Sequence, residues 1–146
     1  MLNQDELRTY GGYLLARGRW LAFRAFDQDI GGPLELKPVE FSVLLLLRGN
    51  PQASPAQLSS ALNVAAPNMT GVLRRMEERG LVARTPCAED RRVHHVVLTD
   101  SGRDLVGRAV EAGRDMDRRW MSSLTAAERA MLIELLGKAV GFHPAA

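Results

Sequence analysis

The side chains best equipped for chemistry lie between positions 68 and 92. Asn68, Thr70, Arg74 and Arg75 fall at helical spacing, and Asp90-Arg91-Arg92 follow as a charged tripeptide. An Asn amide can pair with the edge of adenine and an Arg guanidinium with the edge of guanine, each by two hydrogen bonds. The same groups bind phosphate, which positions a protein on a duplex without reading sequence. A carboxylate beside arginines accepts their hydrogen bonds and fixes the direction of one guanidinium. Charged residues on a helix usually form a solvated face, so the assignment rests on their order along the chain. Glu77 and Glu78 interrupt the basic run and are expected to face solvent or to pair with Arg79 and Arg75.

A second group lies near the N-terminus. Tyr13, Arg17 and Trp20 fall within about three turns of one helix, and aromatic rings with an arginine nearby suit an aromatic carboxylate. Core or dimer packing explains the same residues equally well. Catalytic and metal chemistry find little support. The three histidines are His94, His95 and His143; the first two are adjacent on a strand and so face opposite sides. The one cysteine, Cys87, has no partner for a disulfide and no visible activating group. No nucleophile, base and orienting group occur together, and there is no glycine-rich phosphate loop. An enzyme, a bound metal and a cofactor are therefore not expected.

Composition sets the frame. The chain has 146 residues, 46% hydrophobic and 25% charged, which suits one globular domain spanning 1–146. Lys and Arg number 19 against 17 Asp and Glu, so any basic surface must come from local clustering. Nearly all the basic residues are Arg; Lys37 and Lys138 are the exceptions. No apolar run approaches the length of a membrane span, and acids stand where a signal peptide needs basic residues. A reducing, cytoplasmic setting is expected.

Several elements must position these groups. A long helix is predicted from about Asp5 to Ile30, closed by Gly31-Gly32-Pro33, with Leu7, Leu14 and Leu21 recurring at seven. A second helix starts near Pro38 and stops at Gly49. A third is opened by Ser54, Pro55 and Gln57, a capping box. The fourth, Ala66 to Arg79, buries Met69, Val72, Leu73 and Met76, and Gly80 occupies its C′ position. Leu81–Thr85 and Val93–Leu98 read as a hairpin with a charged tip. A fifth helix runs from Thr99 toward Ser122. A sixth, opened by Thr125 and Glu128, is apolar on nearly every side.

A capped helix, a tight turn, an Arg-bearing amphipathic helix and an Arg-tipped hairpin, in that order, make a winged helix-turn-helix pattern. The fold class is therefore mainly α with a small β-hairpin wing. The DNA-binding lobe spans 36–100, and the flanking helices span 5–30 and 101–140. A helix fits the major groove of DNA, and a wing can carry arginines to a narrow minor groove. The stretch from Leu36 to Gly102 resembles the MarR family of winged helix-turn-helix regulators. The likeness lies in "QLSSALNV", "MTGVLRRMEERGLVAR" and "EDRRVHHVVLTDSGR". Asp90-Arg91-Arg92 is its most specific piece, and Thr99-Asp100-Ser101-Gly102 matches the family's opening of the fifth helix.

The resemblance implies a homodimer through the first, fifth and sixth helices, bound to a pseudo-palindromic double-stranded DNA operator. It implies Arg92 as the groove-inserting residue and repression relieved by a small aromatic acid or phenolic ligand, or by thiol oxidation. The family's pocket lies between the dimerisation helices and the lobe, which keeps Tyr13, Arg17 and Phe41 as candidate lining beside Trp20. The chain departs from the pattern at Lys37, which removes a side-chain cap. It departs also at Ala65 and Ala66, which do the same for the fourth helix, and at Gly71, often a long side chain. The first helix lacks the reactive cysteine of the thiol-sensing branch. A winged-helix protein without an inducer, or a helical protein-interaction dimer, are the alternatives.

Overall fold

The computed structural model describes residues 3–86 and 94–142. Helix α1 spans Gly11–Phe26 and runs into a π-helical turn at Asp27–Gly31 and a single α-turn, α2, at Gly32–Leu34. Then come α3 (Pro38–Gly49), α4 (Pro55–Leu62), α5 (Ala66–Glu78), strands β1 (Val82–Pro86) and β2 (His94–Leu98), α6 (Asp100–Trp120) and α7 (Ala126–Ala139). The fold is mainly helical with one antiparallel hairpin, as the sequence predicts.

The first helix departs from its predicted bounds at both ends. Tyr10 is extended, with φ −93° and ψ 111°, and separates a short 3₁₀ turn at Leu7–Thr9 from α1. Gly11 and Gly12 follow, and glycine is a poor helix former, so the helix does not run on from Asp5. At the other end Gly31-Gly32-Pro33 does not close the segment. The backbone stays helical to Leu34 and stops at Glu35, which is left-handed with φ 51°. The π turn re-aims the chain and leaves Ile30 fully buried, facing α6 at Gly113.

The core lies within the lobe. Val43, Leu44 and Leu47 of α3, Leu58 of α4, and Met69, Val72, Leu73 and Met76 of α5 are buried with Val96 of β2 and Val106 and Ala109 of α6. The hairpin pairs Val82 with Leu98 through to Pro86 with His94, one residue later on the first strand than the sequence suggests. Val93 lies outside the described residues. Ala53, just before α4, adds a further bridge to Val96 through two backbone bonds of 3.2 and 2.8 Å. This bridge fastens the turn before α4 to the sheet.

Local signals hold where they are local. The Ser54 hydroxyl accepts from Gln57 N–H at 3.2 Å, and the Gln57 carboxamide oxygen accepts from Ser54 N–H at 2.8 Å. Gly80 has φ 67°, the left-handed C′ residue that frees α5 to turn into β1. Thr99 caps α6 by accepting from Gly102 N–H at 3.0 Å, and its hydroxyl lies 2.6 Å from the carbonyl of Gly80. Gly102 meets the residue that leads into β1 so closely that a Cβ there would lie 2.0 Å from the carbonyl oxygen of Leu81. Glycine is required by that contact.

Candidate nucleic-acid interface

Helix α5 is built with two unlike faces. Met69, Val72, Leu73 and Met76 seat it on α3, α4 and the sheet, while Asn68, Thr70 and Arg74 are exposed along the outer edge. The Thr70 hydroxyl donates to the Ala66 carbonyl at 3.0 Å, which keeps it close to the helix and leaves the Asn68 amide and Arg74 guanidinium as the reaching groups. Arg74 has only a loose ion pair, 3.8 Å to Glu78, with both side chains mostly exposed. Such a pair contributes little and is readily exchanged for another anion. Gly71, on the same side, leaves its surroundings open; a Cβ there would meet only the Arg75 guanidinium at 3.8 Å. No side chain caps the start of α5 at Ala65, as the sequence indicates.

Arg75 is placed differently from Arg74. Its Nε lies 3.5 Å from Oε1 of Glu40 on α3, while Arg79 Nη1 lies 3.5 Å from Oε2 of the same carboxylate. Glu40 is 2% exposed, and its Oε2 also accepts from Lys37 N–H at 2.9 Å. Of the two expectations for Glu77 and Glu78, the pairing with Arg79 and Arg75 is corrected, while Glu78 is largely exposed to solvent as the other has it. Glu77 pairs with Arg84 of β1 at 2.7 Å and Glu78 with Arg74. The reason is reach: Glu40 already occupies the inner side of α5, and β1 emerges beside Glu77. Sequence reading missed Glu40 as a partner of α5. Its position at the third residue of a Pro-started helix signals a cap, but nothing local signals two arginines from a distant helix.

The paired Pro86 and His94 close the described part of the hairpin at its loop end. Cys87, Asp90, Arg91 and Arg92 lie outside the described residues. His94 is exposed and His95 half-buried, on opposite sides as strand geometry requires. Among the described residues no cluster of His, Cys, Asp or Glu could hold a metal ion, and no helix is long and apolar enough to cross a membrane.

Of the four aromatic-pocket candidates, Tyr13, Arg17 and Trp20 stand at i, i+4 and i+7 along α1, and none of the four lines either of the two cavities beside that helix. Trp20 is 58% exposed and carries the Arg24 guanidinium 4.8 Å above its ring. Tyr13 and Arg17 lie on α1 and make no side-chain hydrogen bond or ion pair among the described residues. Phe41 sits against Phe26, ring centres 5.7 Å apart. The open spaces nearby are lined by other residues. A cavity of about 410 Å³ lies between α1, α6 and α7, walled by Leu14, Leu15, Ala22, Trp120, Leu132 and Leu136, with Arg19 at its edge. A smaller one of about 200 Å³ is formed by Ala22, Phe23, Phe26, Pro38 and Met116.

This geometry has counterparts of known kind. Residues 36–94 match the model of the MarR family. The transcriptional regulator PecS of Dickeya dadantii is 35% identical over 127 residues, 85% of this chain and 76% of that protein. The transcriptional repressor CouR bound to a 23-mer DNA duplex superposes with a TM-score of 0.89 at 33% identity, covering 96% of this chain and 99% of CouR. BpsR of Bordetella bronchiseptica, whose DNA binding is regulated by 6-hydroxynicotinic acid, superposes at 0.82 with 30% identity, over 90% and 94% of the two chains. These are transcriptional regulators and not enzymes. The chain belongs to the MarR family, and its winged helix-turn-helix is that of a DNA-binding transcriptional regulator.

Proposed function

We propose that the protein is a dimeric, cytoplasmic repressor that holds a pseudo-palindromic operator until a small aromatic or phenolic anion releases it. The observation that carries the reading is the outer edge of α5, where Asn68, Thr70 and Arg74 stand exposed on a helix whose other side is fully buried. Asn68 suits adenine and Arg74 suits guanine. Asp90, Arg91 and Arg92 supply the wing contacts, with Arg92 at the minor groove and Asp90 orienting it. Dimerisation through α1, α6 and α7 is supported by the exposed apolar side chains there, Leu14, Leu15, Met131, Ile133 and Leu135. Two-fold symmetry then sets the recognition helices about 34–36 Å apart, one turn of DNA. The inducer is supported by the apolar cavities beside α1 and by the regulation of BpsR by 6-hydroxynicotinic acid. A ligand needs only to bind a protomer spacing unfit for DNA more tightly than the fit one.

The test is a set of binding isotherms at several salt concentrations, with a duplex selected from random sequence and its scrambled counterpart. Arg92→Ala lowers affinity for both and reduces the salt slope by about one. Asn68→Ala and Arg74→Ala each narrow the preference for the selected duplex by about 1–3 kcal/mol and move the salt slope less. Full preference in both variants would place specificity outside α5. A thermal-shift series of hydroxylated aromatic acids tests the inducer; a stabilising acid that also weakens DNA binding supports it.

A further inference from the structure

We infer that Glu40 is a positioning residue for sequence recognition: its buried carboxylate sets the roll of α5 through Arg75 and Arg79. The inference rests on α5 being the DNA-reading helix and adds what aims it. Among the described residues Glu40 is the one charged side chain that is buried, at 2% exposure. It joins three points. Lys37 N–H at the start of α3 donates to Oε2 at 2.9 Å, Arg75 in the last turn of α5 lies 3.5 Å from Oε1, and Arg79, just after that helix, lies 3.5 Å from Oε2. Arg79 is itself fixed, because its Nη1 donates to the carbonyl of left-handed Glu35 at 2.8 Å.

The apolar face of α5 does not by itself fix a rotation. Burial is non-directional, and two of its four buried side chains, Met69 and Met76, are flexible and fill space in several ways. Two ion pairs of 3.5 Å to one carboxylate give the helix a fixed stop, and this carboxylate is the counter-charge of a buried Arg75 Nε that makes no hydrogen bond among the described residues. Arg74 is the neighbour of Arg75, so a small roll that loosens Arg75 from Glu40 swings Arg74 and Asn68 along the groove. The stop also stands beside the smaller apolar cavity. Pro38 and Phe26 line that cavity, and Phe41, next to Glu40, packs on Phe26.

Glu40→Gln keeps the side-chain volume and an oxygen for the Lys37 N–H, and removes only the charge. With a duplex of about three helical turns, selected from random sequence by the parent, and its scrambled counterpart, Glu40→Gln lowers the selected-to-scrambled affinity ratio about tenfold. Affinity for scrambled DNA changes by less than about threefold, and the salt slope stays that of the parent. Arg75→Gln, at a side chain 41% exposed, gives a loss of the same kind but no larger, since Arg79 still holds the carboxylate, and the double variant loses no more than Glu40→Gln alone, since the Arg75 contact is one of the two that Glu40 makes. Arg75→Gln also carries the test should Glu40→Gln unfold. An unchanged ratio in Glu40→Gln overturns the positioning role, as does an Arg75→Gln that lowers the salt slope by about one on both duplexes, the mark of direct phosphate contact. Neither result touches the reading of α5 as the recognition helix, which stands or falls on Asn68→Ala and Arg74→Ala.

Discussion

The lobe and the flanking helices are built on opposite plans. In the lobe, α3 buries four side chains and α5 four, and their apolar residues close on one another and on the sheet. Helices α1 and α7 bury none, and leave Leu14, Leu15, Trp20, Leu21, Met131, Ile133 and Leu135 with roughly half of their surface in solvent. In the single chain these form an extended apolar surface, the kind of feature on which the proposed dimer rests. The lobe thus has its own core, whereas α1 and α7 bury no side chain fully. Helix α6 belongs to both: its first half buries Leu105, Val106 and Ala109 in the lobe, and its far end lines the cavity against α7.

The largest way to break this contrast is to cut the chain after Leu124. Loss of α7 is expected to give aggregated or unfolded protein, read by light scattering and circular dichroism. A soluble, folded monomer from that truncation would show that the flanking helices need no second copy. Next in size is a pair of core truncations. Leu73→Ala, at a fully buried side chain, costs about 2–5 kcal/mol in denaturant unfolding. Ile133 is 57% exposed in the single chain, and exposed substitutions stay within about 0.5 kcal/mol. A measured cost above about 1 kcal/mol for Ile133→Ala would mean that another chain covers it, and a cost near zero would remove it from the interface.

Gly102→Ala is smaller and sharper. The new methyl would collide with the Leu81 carbonyl, a backbone atom that cannot rotate away. Overpacking of this kind costs about 1–3 kcal/mol. The start of α6 and β1 must separate, so the wing and the recognition helix shift together. Gly107→Ala on the same helix meets nothing and is expected to be neutral or slightly stabilising. Equal effects at the two glycines would show that the α6–β1 contact is loose.

How much of this was legible depends on how far each contact reaches along the chain. Ser54 with Gln57, Gly80 and Thr99 with Gly102 act within a few residues, and each stands where the sequence places it. The contact that explains Gly102, the Leu81 carbonyl, lies far off in sequence, so the glycine could be recognised but its reason could not. The break at Tyr10 and the π turn at Asp27–Gly31 escaped because a heptad of leucines outweighs weak local breakers, while the burial of Ile30 that decides the turn is tertiary. The Glu40 junction escaped for the same reason. Tyr13, Arg17 and Trp20 share one side of α1, at i, i+4 and i+7, but which residues wall a cavity depends on how helices distant in sequence pack, and Phe41 lies against Phe26.

The smallest expected effect separates the two regions by their caps. Helix α4 in the lobe is capped reciprocally by Ser54 and Gln57, both neutral. Helix α7 is capped by Thr125 and Glu128: the Thr125 N–H and hydroxyl donate to Glu128 Oε2 at 2.7 and 2.8 Å. The backbone bond first, and the hydroxyl second, hold the Glu128 carboxyl below the usual carboxylate range. A carboxyl whose folded pKa is depressed contributes stability that is fully present above its unfolded pKa. That contribution is lost as pH falls through the unfolded value toward the folded one. Mild acid is therefore expected to fray the start of α7 while leaving the start of α4 intact. Hydrogen exchange at the Glu128 and Gln57 amides, measured against pH and corrected for intrinsic rates, reads the two caps side by side. Protection at Glu128 falls with acid and that at Gln57 does not; Glu128→Gln removes the pH dependence and gives α7 the neutral cap of the lobe. Equal acid sensitivity at both amides would mean that the α7 cap is not held by its carboxylate.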